Sequence, residues 1–206
     1  RAWEEVSKTK KCYKKKRLMN ELSTIQKRIS SRNYKIRERS KYALAVAPVM
    51  QRGASLAYEE KETRTDIFGT NEEYMETIST NIAQGRFFTR SEDRSGSRVT
   101  VIGDGLKEAF FGEQDPIGQY IKIDNVKFRV IGVLEKQGKF LGLFSVDKQA
   151  VLPFGAYKRI FSRRGWMRLS VKIPEDKIDE SIDEIFSVMR HIRGLKPSEE
   201  NDFAIN

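Results

Sequence analysis

The 206-residue chain is short of the residues that carry most chemistry. It holds one cysteine, Cys12, so no disulfide can close within it, and cysteine usage leaves the redox compartment open. It holds one histidine, His191, between Arg190 and Arg193 near the end of an expected helix, which is a solvated setting. A Ser/His/Asp triad needs its histidine in a pocket, and a Cys/His zinc site needs more of both residues than this chain has. No GxxxxGK[ST] loop is present, which excludes ATP hydrolysis by that route. No apolar run approaches the roughly 20 residues of a membrane-spanning helix. The chain starts at Arg1 and carries no signal sequence, which points to a piece of a longer protein. No catalytic, cofactor-binding or metal-binding residue is therefore expected. With 38% hydrophobic and 33% charged residues, the composition is that of a folded domain with one good core or two small ones.

The formal net charge of +10 is concentrated at one end. Residues 1–41 hold 15 Lys/Arg against 4 Asp/Glu, whereas the remainder holds 24 against 25 and is almost neutral. Within the basic part, Leu18, Leu22, Ile25 and Ile29 recur at helical spacing, so a helix is expected from about Met19 to about Ser40. Three readings of the run Lys10-Lys11 and Lys14-Lys15-Lys16-Arg17 stay open. It is a solvated face beside a membrane anchor, or it is drawn to anionic lipid at ~1 kcal/mol per basic residue, or it binds nucleic acid through residues 8–41. The last lacks a zinc motif or a helix-turn-helix pattern.

The rest of the chain is organised around Val99–Leu134. Val99-Thr100-Val101-Ile102 reads as a buried strand stopped by Gly103. Asp104 can cap a helix whose Leu106, Ala109, Phe110 and Phe111 share a side, ended by Gly112. Asp115-Pro116-Ile117-Gly118 is a turn, and Tyr120–Ile123 with Val126–Val130 alternate as a hairpin about Asp124-Asn125. Ile102-Gly103-Asp104-Gly105 imitates the start of a dinucleotide fingerprint, but Glu108 stands where the third glycine belongs and would repel a pyrophosphate.

Upstream, strands are expected at Ala45–Pro48, Ser55–Tyr58 and Thr63–Phe68, with Glu59–Glu62 as a turn and Pro48 marking an edge or strand end. A helix start is expected at Gly69–Glu73 with Thr70 or Asn71 as cap, and a polar loop over Arg90–Ser97. Phe87 and Phe88 are expected to close a core. Downstream, Glu135–Asp147 reads as a loop carrying Phe140-Leu141 and Leu143-Phe144, either a cover for the hairpin or a contact patch. Then come a strand at Val151-Leu152, a helix from Pro153 to about Phe161, and a strand over Trp166–Ile173. Ile178, Ile182, Ile185, Phe186 and Met189 give the last helix an apolar face to dock on a sheet, and Gly194 ends it. This final strand and helix are expected to return beside the Ala47–Phe68 strands.

Several short segments occur in a telling order: Gly85-Arg86-Phe87-Phe88 with Glu92, Val101-Ile102-Gly103, Phe110-Phe111-Gly112 and Asp115-Pro116-Ile117-Gly118. Phe128-Arg129-Val130-Ile131-Gly132-Val133, Leu152-Pro153, and Arg193–Pro197 with Asp202–Asn206 continue it. Over residues 47–206 the pattern resembles the periplasmic core domain of MacB-type ABC-transporter permeases, the group with FtsX-like membrane segments. The resemblance implies an α+β fold in two lobes. Residues 1–41 would be a basic stem, 42–90 and 163–206 the halves of a porter-like subdomain, and 91–162 an inserted strand–helix–hairpin subdomain. It also implies a place outside the cytoplasmic (inner) membrane, on its periplasmic side, between two transmembrane segments of the permease. There the domain would relay ATP-driven helix motion to the export of a peptide, lipoprotein, drug or antimicrobial. The implied partners are the permease spans, an ATP-binding subunit or domain, a second copy in a homodimer, a periplasmic membrane-fusion protein and an outer-membrane duct. Basic segments beside a span usually stay cytoplasmic, but that rule lapses for long translocated domains.

Overall fold

The computed structural model describes residues 36–206 except 79, 138, 141–143, 146, 162–166, 204 and 206, and only the backbone of 139, 140, 144 and 145. The expected basic helix therefore lies outside the described residues, save for the helical turn at 36–39. The side chains of the Phe140–Phe144 cluster lie outside them too.

The longest strand, β1 (Ala45–Tyr58), replaces two of the expected short ones and passes straight through Pro48. Proline is tolerated there because one neighbour alone is hydrogen-bonded to β1 at that point. Pro48 faces Leu169 of β10 (Met167–Lys172), whereas the ladder to β2 (Lys61–Thr70) begins only at Met50. β2 extends to Gly69-Thr70, where a helix start was expected, because these residues pair with Leu152 and Pro153 of β9 (Gln149–Pro153). The helix that follows is the single turn α1 (Tyr74–Thr77), and β3 (Ile82–Gly85) comes next. The expected polar loop contains a helix, α2 (Arg90–Ser95).

The central unit folds as its pattern predicts: β4 (Val99–Ile102), α3 (Asp104–Phe111), β5 (Tyr120–Ile123) and β6 (Val126–Leu134). Asp124 and Asn125 both take positive φ, 43° and 67°, at the hairpin turn. The cap of α3 is Gly103 rather than Asp104, which is the first helical residue. A small hairpin, β7 (Lys139–Phe140) and β8 (Phe144–Ser145), lies in the following loop. After β9 come α4 (Phe154–Ile160), then β10, a 3-10 turn at Glu175–Lys177, and α5 (Ile178–Arg193). The architecture is α+β.

Pairing runs β10-β1-β2-β9-β4-β6-β3, and β5 bridges β6 back to β1 through Leu56 and Ala57. The strands β1-β2-β9-β4-β6-β5 thus close into a ring, with β10 and β3 as extensions. Its inner face holds Met50, Leu56, Ile67, Ile102, Ile121, Phe128, Val130 and Leu152, to which α3 and α4 add Leu106, Phe110, Phe154 and Tyr157. A second cluster includes Val49, Tyr74, Phe88, Val101, Ile131 and Val151. Both clusters draw side chains from the 42–90 and the 91–162 segments. β10 returns beside β1, as expected. The expected docking of α5 along its whole apolar face needs correction: Ile185 is buried, but Ile178 and Ile182 are 49% and 37% exposed. The inward direction of the helix is set by Ser181 and Ile185, which leaves the flank of the stripe uncovered.

Candidate functional site at the convergence of the chain ends

The incoming and outgoing parts of the chain meet at one end of β1. Leu44 N–H donates to the Lys172 carbonyl at 2.8 Å, and Ala45 pairs with Lys172. One residue of α5 then collects three donors: Glu184 accepts from Ser40 Oγ, from Lys41 N–H at 2.8 Å and from Tyr42 N–H at 3.2 Å. Burial alone would raise this carboxyl, but those donors outweigh it and hold it below the ordinary glutamate range. The bare edge of β1 beyond the start of β2 is finished by side chains instead of a strand. Val46 N–H donates to Glu73 Oε2 at 2.9 Å, and Asn71 Nδ2 donates to the Val46 carbonyl at 3.1 Å. Glu73 also pairs with Arg37 at 2.6 Å, which fastens the helical turn at 36–39 to the body.

Past α5, Arg190 donates to the carbonyls of Lys196 and Glu199, Arg193 pairs with Asp202 at 3.0 Å, and Phe203 packs on Phe186 at 5.2 Å between ring centroids. The outgoing tail is thereby folded back on its helix. The sequence pattern did not single out Glu184, and it offered Asn71 as a helix cap and Glu73 as part of a helix start where the structure uses both on the backbone of Val46. A polar residue on a helix face is indistinguishable from solvated charge until its partners, some 140 residues away for Glu184, are in place.

The segment Gly85–Asp93 locks strand, helix and ring together. Gly85 has φ 74°, and a Cβ there would lie 2.3 Å from the Ile131 carbonyl oxygen, while Arg86 N–H donates to that same oxygen at 3.0 Å. Thr89 and Glu92 form a capping box for α2. Arg86 then grips Glu92 with two bonds of 2.8 and 2.7 Å. The Arg86 guanidinium, aided by the Thr89 donors, holds the Glu92 carboxyl at about 2. Asp93, buried, accepts from Gly155 N–H at 2.8 Å and so caps α4, whose own cap position is Pro153. Burial pushes the Asp93 carboxyl up, with Gly155 N–H opposing.

The glycines of Ile102-Gly103-Asp104-Gly105 serve a backbone crossing. A Cβ on Gly103 would lie 2.2 Å from the Asp147 carbonyl oxygen, and Gly105 N–H donates to that oxygen at 3.0 Å. Protein backbone thus occupies the place a phosphate would take. His191 is exposed. Among the described residues no group of three or more His, Cys, Asp or Glu could hold a metal, and no helix is long and apolar enough to cross a membrane.

Fold and site define an α+β domain with a closed ring of strands, in which residues 40–46 are tied by hydrogen bonds to the returning β10 and α5. The chain belongs to the MacB-like periplasmic core domain family, whose profile matches residues 14–185. It is 36% identical over 97 residues to the pyoverdine export ATP-binding/permease protein PvdT of Pseudomonas aeruginosa, 47% of this chain and 15% of that protein. It is 29% identical over 147 residues to the macrolide export ATP-binding/permease protein MacB of Bdellovibrio bacteriovorus, 69% of this chain and 22% of that protein. The chain spans less than a quarter of the length of these relatives. Among solved structures, the extracellular domain of the ABC-type transporter YknZ superposes with a TM-score of 0.65 at 23% identity, over 79% of this chain and 84% of that one. The periplasmic region of MacB from Actinobacillus actinomycetemcomitans gives 0.65 at 22% identity, over 76% and 71%. These structural likenesses establish the fold.

Proposed function

We propose that this chain is the extracytoplasmic domain of an ABC-transporter permease, on the periplasmic side of the inner membrane, held to the bilayer by segments on both sides of it. It performs no chemistry. It carries displacement of the membrane helices, driven by an ATP-binding subunit or domain, to an exported substrate or a periplasmic partner. Residues 42–90 and 163–206 form the anchored part and 91–162 the part beyond it. A second copy, a membrane-fusion protein and an outer-membrane duct complete the proposed assembly, and the substrate classes are those of exporters: peptides, lipoproteins, drugs and antimicrobials.

The observation that supports this reading best is the tie at Glu184. A domain that transmits motion needs its incoming and outgoing segments fixed to each other and to a body that does not deform. Three donors from residues 40–42 on one carboxylate of α5 supply the first, and the closed ring of strands supplies the second.

The test is the intact gene product in cells. Expected are fractionation with the inner membrane and digestion of this domain by protease only after the outer membrane is opened. Recovery of the intact protein as a free soluble species would overturn the reading.

A further inference from the structure

The outer face of the β5–β6 hairpin is bare and basic. Tyr120, Lys122, Lys127 and Arg129 are all exposed, Tyr120 by 58%, while Ile121, Ile123, Phe128 and Val130 between them are buried inside the ring. The ladder sets Lys122 directly opposite Lys127 and Tyr120 opposite Arg129. Opposed like charges on a sheet are destabilising, so folding alone does not account for this pair. Arg98, also exposed, adjoins it through the bond from Arg129 N–H to its carbonyl, 2.9 Å. Among the described residues none of Arg98, Lys122, Lys127 and Arg129 has an ion pair. The acids of this neighbourhood are Glu59, Glu60 and Glu62 of β2 and its turn, and Asp124 of the hairpin turn itself, which is already paired with Arg52 at 2.6 Å. Glu62 lies beyond Ala57, the residue facing Lys122, and accepts a bond from Ser55 Oγ. Along β6 the outward positions pass from covered Ile131 to bare Arg129 and Lys127, so the second apolar cluster stops short of this face.

The location matters as much as the charge. β5 pairs with Leu56 and Ala57, whereas the start of β1 meets the end of β10 at Ala45. β1 is 14 residues long, which at ~3.3 Å per residue separates the two places by roughly 40 Å.

We propose that this hairpin face docks an acidic segment of a second protein on the side of the domain away from the meeting of β1 with β10. Carboxylates of that segment pair with Lys122, Lys127 and Arg129, and Tyr120, opposite Arg129, supplies an aromatic contact at the edge of the patch. The choice of a protein over anionic lipid rests on the tethered reading above, which sets the chain ends toward the bilayer.

The test uses the whole chain and two single variants, Lys122→Glu and Lys127→Glu. Each turns the opposed like pair into an opposite one, and either alone suffices if the other fails to fold. The probe is a fluorescent poly-glutamate peptide, with phosphatidylglycerol/phosphatidylethanolamine vesicles as the second arm. The basic segment 1–41 is the same in all three proteins, so differences report the hairpin. Expected is salt-sensitive peptide binding that weakens about tenfold or more in each variant, with an unfolding midpoint equal to or above that of the parent. Peptide affinity unchanged in both variants overturns the proposal, as does loss of vesicle binding alone. If the intact protein proves soluble but the variants still lose the peptide, the docking face stands and the membrane reading falls.

Discussion

Glu92 shows how much a single carboxylate can organise. It receives two bonds from Arg86 and one from Thr89 N–H, and it thereby joins β3, α2 and the backbone of β6. Its folded carboxyl sits at about 2, below its ordinary 4.5. The sign follows from linkage: a depressed acid contributes stability that is fully present above pH 4.5 and is lost as pH falls toward 2. Glu92→Gln keeps a capping box but loses the charge on the two Arg86 bonds, and is expected to lower stability at neutral pH by about 1–2 kcal/mol, the scale of a charge-assisted hydrogen bond. It should also flatten the acid limb of the stability curve, read by denaturant titration at several pH values. An unaltered acid limb would show that other carboxylates carry it. The adjoining glycines have no freedom to vary. A Cβ on Gly132 would lie 2.4 Å from the Arg86 carbonyl oxygen, so backbone approach, and not chain flexibility, sets the residue type.

At the level of elements, α5 is joined to the body more by polar bonds than by apolar burial. Ile185 is the buried apolar residue of the helix, and Ile178 and Ile182 remain partly exposed. The three bonds to Glu184 are therefore a principal link between the incoming strand and this helix. Glu184→Ala is expected to leave the ring intact but to speed amide hydrogen exchange at Lys41 and Tyr42 by about an order of magnitude or more, for a lost charge-assisted bond. Amides of Ile121 and Val130 serve as the internal control. Equal acceleration everywhere would mean global destabilisation, and continued protection at Lys41 would mean that Glu184 is dispensable for the tie.

For the whole molecule, the question is whether two segments that read as separate lobes behave as one body. β1 and β2 of the 42–90 segment pair with β5 and β9 of the 91–162 segment, and both apolar clusters mix the two. A closed ring cannot lose one strand without exposing the inner face of the others. Denaturant unfolding is thus expected to be a single transition, with hydrogen-exchange protection in 42–90 and 91–162 lost at the same denaturant concentration. Separate midpoints for the two segments would show that the ring does not couple them. A single stiff unit suits transmission of displacement, because a softer junction would absorb it.

Much of the local structure was legible in the residues. Period-2 alternation placed β5 and β6, Asp124-Asn125 marked their turn, and Gly194 marked the end of α5, because these signals depend on neighbours a few positions away. Thr89-Arg90-Ser91-Glu92 was equally legible as a capping box, and reading Arg90–Ser97 as a loop overlooked it. The absence of a nucleotide loop or a second histidine, and the order of the short motifs from Gly85 to Pro153, were likewise properties of the sequence alone. Tertiary structure decided the rest. Pro48 inside a long strand, the closure of the ring through Leu56 and Ile123, and the roles of Asn71, Glu73 and Glu184 all depend on partners distant in sequence. A polar side chain carries no mark of the backbone group it will bind, and a strand edge shows whether it is bare or covered only when the whole sheet has formed.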